Sequence, residues 1–235
     1  MRIPSLTITC LALLLMVSAL NAHAQVPKEQ QILLDEPIAD PEARIVKEET
    51  AKRPYEDGKP HIELKVALLS NEMVVNHGKY TEFYPNGKKY AEGTFDRGIH
   101  TGQWQYWHPD GQICKTINFK AGRPDGQWDV FRTDGTRQST KQYLEGSRHG
   151  EWIRYFDDGE LPKVKMNYQN GKTDGERITY YENGNKRQRI LFKNGLMDGT
   201  MTNWNEAGGK TTEVTFEAGK ISGKVVQFDG TEGAN

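Results

Sequence analysis

Gly102-Gln103-Trp104-Gln105-Tyr106-Trp107-His108-Pro109-Asp110-Gly111-Gln112-Ile113-Cys114-Lys115-Thr116-Ile117-Asn118-Phe119-Lys120-Ala121-Gly122 decides the fold of this 235-residue chain. It holds an aromatic segment, an Asp-Gly pair, an alternating segment and a closing glycine, and the pattern then starts again at Gly126. Anchor glycines stand at Gly78, Gly102, Gly126, Gly150, Gly175, Gly199 and Gly223, 24 residues apart with one interval of 25. A second glycine follows each of the first six by nine residues, from Gly87 to Gly208, and a third runs from Gly98 to Gly219. A fixed period in this range marks a repeat architecture.

Each unit reads as a β-hairpin. Asn86-Gly87, Asp110-Gly111, Asp134-Gly135, Asp158-Gly159 and Asn183-Gly184 sit between patterned runs. Such pairs predict type I′ turns, whose two central residues both need positive φ. The return segment alternates, with Ile117/Phe119, Met166/Tyr168, Ile190/Phe192 and Val214/Phe216 on one parity and mainly polar residues on the other. That is the period of a strand with one buried face. Helix is a poor competitor, because glycine costs a helix about 1 kcal/mol per site.

Aromatics on the outgoing strand form two columns. One lies at anchor-plus-two (Tyr80, Trp104, Trp128, Trp152) and one at anchor-plus-five (Phe83, Trp107, Phe131, Tyr155, Tyr180, Trp204, Phe228). An odd separation leaves two readings open: a β-bulge between the columns, or an aromatic stripe on both faces. Unit four carries one extra residue near Leu161-Pro162-Lys163, where proline predicts a bulge. Six repeats of two strands at ~4.8 Å per strand predict an elongated single antiparallel sheet of roughly 55–60 Å.

The pattern shown by Gly126-Gln127-Trp128-Asp129-Val130-Phe131, Asp134-Gly135 and Tyr143-Leu144-Glu145-Gly146 resembles the MORN-repeat variant of bacterial proteins, in six copies from Gly78 to Gly223. The resemblance implies an elongated antiparallel sheet and contacts with proteins, and sometimes with membrane lipids. Some bacterial relatives bear an antitoxin label. No catalytic residue belongs to the motif. Arg177 and Met201 depart from it, replacing the aromatic at anchor-plus-two in copies five and six.

Ahead of the repeats, Arg2, the apolar run Leu11–Leu20 and Ala22-His23-Ala24 read as a signal peptide cleaved after Ala24. An exported protein, periplasmic or extracellular, with no transmembrane segment is the expectation. Residues 25–60, rich in Pro, Glu, Asp and Lys, read as a disordered linker with room for a short helix over Pro41–Lys52. Residues 61–77 read as a degenerate hairpin capping the open edge, residues 78–230 as the six repeats with a final strand, and 231–235 as a tail. Cys114 is the one cysteine left after cleavage, so no intrachain disulfide is available.

Composition and motifs bound the function. Without Arg2 the chain has 30 basic and 32 acidic residues, a net of −2, which argues against nucleic acid and against firm binding to anionic lipid. Gly208-Gly209-Lys210-Thr211 mimics the end of a phosphate loop but has Trp204 where the first glycine belongs. In Gly146-Ser147-Arg148-His149-Gly150 the serine is misplaced for a nucleophile elbow. His61, His77, His100, His108 and His149 show no zinc-ligand spacing. The acidic slots Asp110/Asp134/Asp158 and Asp125/Asp174/Asp198 read as turn chemistry rather than stacked calcium sites. No catalytic residue, cofactor or metal is expected.

The aromatic columns remain. The anchor-plus-five column reads as the core, each ring stacking on the next copy's. The anchor-plus-two row of Tyr80, Trp104, Trp128 and Trp152 reads as a groove for a protein segment, since Trp and Tyr are preferred interface anchors. The resulting expectation is a non-catalytic binding or scaffolding module with a protein partner, with toxin neutralisation or envelope-glycan stacking as alternatives and only weak membrane-surface contact.

Overall fold

Two kinds of turn, alternating along the chain, generate the architecture. The computed structural model describes residues 42–231, all within one unit, and no helix occurs among the described residues. The expected signal peptide, residues 25–41 of the expected linker and residues 232–235 lie outside the described residues. The strands are β1 (Ile45–Pro54), β2 (Pro60–Leu69), β3 (Val74–Phe83), β4 (Lys89–Asp96), β5 (Ile99–Trp107) and β6 (Ile113–Lys120). They continue as β7 (Arg123–Phe131), β8 (Arg137–Leu144), β9 (Ser147–Arg148), β10 (Gly150–Tyr155), β11 (Pro162–Gln169) and β12 (Lys172–Tyr180). The last six are β13 (Lys186–Lys193), β14 (Leu196–Met197), β15 (Gly199–Trp204), β16 (Lys210–Glu217), β17 (Lys220–Ile221) and β18 (Val226–Gln227). All belong to one open 18-stranded sheet in which sequence neighbours pair antiparallel, as in β3–β4, β4–β5 and β5–β6.

The turn assignment is inverted relative to the expectation. At Asn86-Gly87 and Asp110-Gly111 only the glycines have positive φ, at 80° and 94°. Gly87 N–H donates to Tyr84 O at 2.9 Å, which closes a type I turn followed by a left-handed glycine, with Pro85 at the position that favours proline. The preceding Asx side chain bonds forward: Asn86 Oδ1 accepts from Lys88 N–H at 3.0 Å and Asp110 Oδ1 from Gln112 N–H at 2.9 Å. That local bond holds the Asx residue where it is without a left-handed backbone.

The type I′ conformation occurs at the other turn. Arg97, Ala121, Glu145, Asn170, Asn194 and Ala218 all have φ between 48° and 51°, each followed by a positive-φ glycine. An alanine in the left-handed region costs roughly 1 kcal/mol, which asparagine largely avoids. Ala121→Asn, copying the native Asn170 and Asn194, is therefore expected to stabilise the fold by about 0.5–1 kcal/mol. A higher urea midpoint at unchanged m-value is the measurement; a lower midpoint contradicts the turn assignment.

Residues 45–54 correct the linker expectation. They form neither a disordered segment nor a helix but β1, which pairs along β2 from Ile45↔Leu69 to Pro54↔Pro60. The connecting turn, Tyr55-Glu56-Asp57-Gly58-Lys59, repeats the bonding of the later hairpins: Gly58 N–H to Tyr55 O at 2.9 Å and Lys59 N–H to Asp57 Oδ1 at 3.1 Å. The Asp57-Gly58 pair was the signal for it. β1 and β2 are thus a divergent extra hairpin, and β1 is the N-terminal edge, with Lys47, Glu48, Glu49, Lys52, Arg53 and Pro54 along it. Charges and proline on an edge discourage pairing with another chain. Beneath this hairpin Ala43, Ala67, Leu69 and Val75 form a small core.

In unit four the expected bulge beside Pro162 is present, with Lys163 unpaired, and the extra residue enlarges the turn. Phe156 N–H reaches Leu161 O at 2.9 Å, and Asp158 Oδ1 accepts from both Glu160 and Leu161 N–H. The bulge beside Pro162 is common to every copy. Register shifts fall at Glu82/Phe83, Tyr106/Trp107, Val130/Phe131, Arg154/Tyr155, Thr179/Tyr180 and Asn203/Trp204.

Candidate binding face

The register settles the question of the two aromatic columns. The extra residue of each bulge lies on the return strand (Tyr90, Cys114, Gln138, Lys163, Arg187, Thr211), so the outgoing strand keeps its alternation. Anchor-plus-two and anchor-plus-four share one face and anchor-plus-five takes the other. Both faces carry aromatics.

The burial differs from expectation. The anchor-plus-five residues are half-buried, and several lie under cations: Lys89 of the preceding hairpin over Trp107 at 5.4 Å, and Arg137 over Phe131 of its own hairpin and Tyr155 of the next at 5.9 and 5.8 Å. Most of the buried apolar side chains lie on the opposite face, in the N-terminal copies among Leu64, Val66, Ala91, Phe95, Trp104, Tyr106, Ile117 and Phe119. At this turn end, side chains also stitch hairpin to hairpin. Tyr55, Tyr84 and Tyr181 hydroxyls donate to the carbonyls of Phe83, Trp107 and Trp204 at 2.7–2.9 Å, and Arg132 reaches Phe156 O at 3.0 Å.

The four residues expected to line a groove do not behave alike. Trp104 is only 2 % exposed and packs against Tyr80, Phe95, His100 and Phe119. It is core, not groove. The cause is Gly93: a Cβ there would fall inside the Trp104 indole. The same slot holds Ile117 before Trp128 and Lys141 before Trp152, so those rings cannot sink and remain half-buried. Tyr80 is half-buried too, with its hydroxyl donating to Glu82 at 3.0 Å; desolvation, then the nearby carboxylate, pushes its pKa far up. His100 lies among rings at 4.4 Å from Trp104 and 4.5 Å from Phe95, and burial pushes its pKa down to about 4.

From Tyr106 to Tyr168 the aromatic face becomes a strip in which rings and cations interleave. Lys115 sits over Tyr106 at 4.4 Å and over Trp128 at 5.6 Å. Lys141 spans Trp128 and Trp152 at 5.6 and 5.5 Å, and Arg148 spans Trp152 and Tyr168 at 5.7 and 4.6 Å. Tyr143 fills the row, 5.3 Å from Trp128 and 5.2 Å from Trp152. Trp152 Nε1 donates to Gln142 O at 2.8 Å, as Trp104 Nε1 does to Thr94 O at 3.2 Å, whereas Trp128 Nε1 is buried with no acceptor.

The cations were missed in the sequence because single basic residues in a mixed-charge chain carry no pattern until register aligns them. Lys115, Lys141, Arg148, Arg154 and Arg177 fall on this face by pairing, and no Asp or Glu does between Lys115 and Ile190. Carboxylates of the same strands are on the other face. There Asp129 accepts from Thr140 at 2.7 Å, Glu151 lies 4.0 Å from Lys165, and Glu176 accepts from Arg189 Nε at 2.8 Å.

The remaining candidates resolve into structure. Asp125 and Asp174 accept from the N–H of the left-handed residue in the following turn, Glu145 and Asn194, at 3.1 and 3.0 Å; His77 Nδ1 does so for Arg97 at 3.3 Å. Asp134 accepts from the Thr136 hydroxyl and N–H, which hold its pKa below the usual range. Among the described residues no group of three His, Cys, Asp or Glu is placed to hold a metal. Gly208 is a turn glycine with φ 94°, and Gly209 packs directly against the Gly230 carbonyl, so this segment is a hairpin end. Cys114 is the half-buried bulge residue of its copy.

The comparisons agree with this geometry. The MORN repeat variant matches residues 76–97, 101–121 and 173–194, which are copies one, two and five. Copies three, four and six share the hairpin register of the matched ones. Repeats of this kind are in general protein- or membrane-binding modules. A comparison with curated proteins gives no match. Among the described residues no helix is long and apolar enough to cross a membrane.

Proposed function

We propose that this chain is an exported, non-catalytic binding module that grips a protein partner on the cation–aromatic face of its sheet. The observation that carries this reading is the contrast along one row. Trp104 is spent on the core, while Trp128 and Trp152 stay half-buried with Lys141 across both rings. Trp, Tyr and Arg are the residues on which interface energy concentrates, and here they are presented on a rigid sheet rather than a loop. Toxin neutralisation is one form such binding could take. Sugar stacking is disfavoured, because the ring faces are already covered by cations. A photo-crosslinking residue in place of Lys141, expressed in the native cell, is expected to trap a specific protein; the same residue at Lys165 on the opposite face is not. Equal trapping at both positions, or none at either, refutes the face assignment.

A further inference from the structure

Resting on the reading that this face binds protein, we propose that its occupant is a short acidic segment, rich in Asp and Glu, laid across the strands from Lys115 to Arg177. Five cations on that stretch and no carboxylate make a local positive field within a chain whose net charge is −1. No described ion pair involves Lys141, Arg148, Arg154 or Arg177, so their charges are not already spent on carboxylates of the described fold. The five steps from β6 to β12 at about 4.8 Å each span about 24 Å, which an extended segment of about seven residues covers.

Three observations select a peptide over other anions. The positive field is local, and beyond a Debye length of about 8–10 Å the carboxylates of the opposite face and turns cancel it, so a long polyanion gains little further attraction. The exposed large aliphatic residues (Val46, Ile113, Leu144, Leu161, Leu196, Ile221, Val225, Val226) are all absent from this stretch of the face, so no exposed aliphatic side chain projects from it to enter a bilayer. The cations lie over the rings of Trp128, Trp152 and Tyr168, which blocks base stacking while pre-positioning ammonium and guanidinium groups for carboxylates.

The test is fluorescence anisotropy on the full chain with a labelled alternating Glu/Asp peptide of about ten residues, a Lys peptide and a Gly/Ser peptide of the same length as controls. Saturable, salt-sensitive binding of the acidic peptide alone is expected. It should weaken by about tenfold or more in Lys141→Glu/Arg148→Glu and stay unchanged in the opposite-face variant Lys165→Glu. Lys141→Gln/Arg148→Gln, with the wild-type melting profile, guards against a folding defect and is expected to show a smaller loss in the same direction. Equal binding of all three peptides, a loss with Lys165→Glu, or preferential binding of phosphatidylserine vesicles or oligo-dT overturns the proposal. Absent peptide binding with crosslinking still specific to position 141 overturns the acidic segment alone. Absent peptide binding without crosslinking overturns the face reading as well.

Discussion

Trp104→Ala is expected to destabilise the fold by about 3–5 kcal/mol, the range for truncating a fully buried aromatic. The ring is 2 % exposed, touches rings from β3, β4 and β6 and donates its indole N–H to Thr94 O at 3.2 Å. Gly93→Ala should cost a comparable amount from the other side of the same contact. Its Cβ would overlap the indole body, and neither group can move away without uncovering Phe95 and His100. The decisive result is non-additivity: in a Trp104→Ala background, Gly93→Ala should cost less than about 1 kcal/mol. Additive losses in chemical denaturation would mean that Gly93 is required for some reason other than the ring above it. The equivalent Trp128→Ala and Trp152→Ala changes should be milder, because those rings are only half-buried.

Acid should loosen the same cluster. His100 has a pKa of about 4 when folded, against 6.5 unperturbed, and the cause is desolvation with no charged neighbour involved. Between those values the unfolded chain binds a proton that the folded chain does not, so stability is full above pH 6.5 and falls as pH drops toward 4. At 1.36 kcal/mol per pKa unit the loss is at most about 3–4 kcal/mol. His100→Leu should flatten the stability profile in that window. Further loss at lower pH would persist, since Glu92, held down chiefly by its hydrogen bond from Lys89, loses its contribution only as pH falls below 4.5. An unchanged slope between pH 6.5 and 4 in His100→Leu would place the acid-sensitive group elsewhere.

Hairpins, their order and their antiparallel pairing were legible in the glycine period and the alternating return strands. The matched stretches and the strand boundaries follow that pattern. Less legible was the kind of turn. Asn86-Gly87 looks like a type I′ pair, yet Asn86 uses its side chain to bond forward and leaves the left-handed backbone to Gly87 alone. Ala121 and Ala218 carry no local signal for the left-handed conformation they adopt; the flanking strands impose it. The segment 45–54 is not legible as a strand, because its charges suit either a solvated linker or a protected edge, and only the pairing partner β2 distinguishes them.

The candidate site was half visible. Its rings are periodic and could be found; its cations are not. Lys115, Lys141 and Arg148 stand at different places in their repeats, and adjacency across strands brings them over neighbouring rings. Net charge, a sum over both faces, hid the separation of basic and acidic residues.

The sequence by itself determined a repeating β-hairpin chain with short bonded turns, because glycine spacing and side-chain alternation act over a few residues. Only the tertiary structure decided which face each aromatic column occupies, that Trp104 sinks while Trp128 and Trp152 do not, and that the basic residues gather beside them. The physical reason is that a one-residue bulge reverses side-chain parity only on the strand that carries it, here the return strand, and a ring's depth is set by whatever stands opposite it on the adjacent strand: nothing at Gly93, a branched chain at Ile117, a charged one at Lys141.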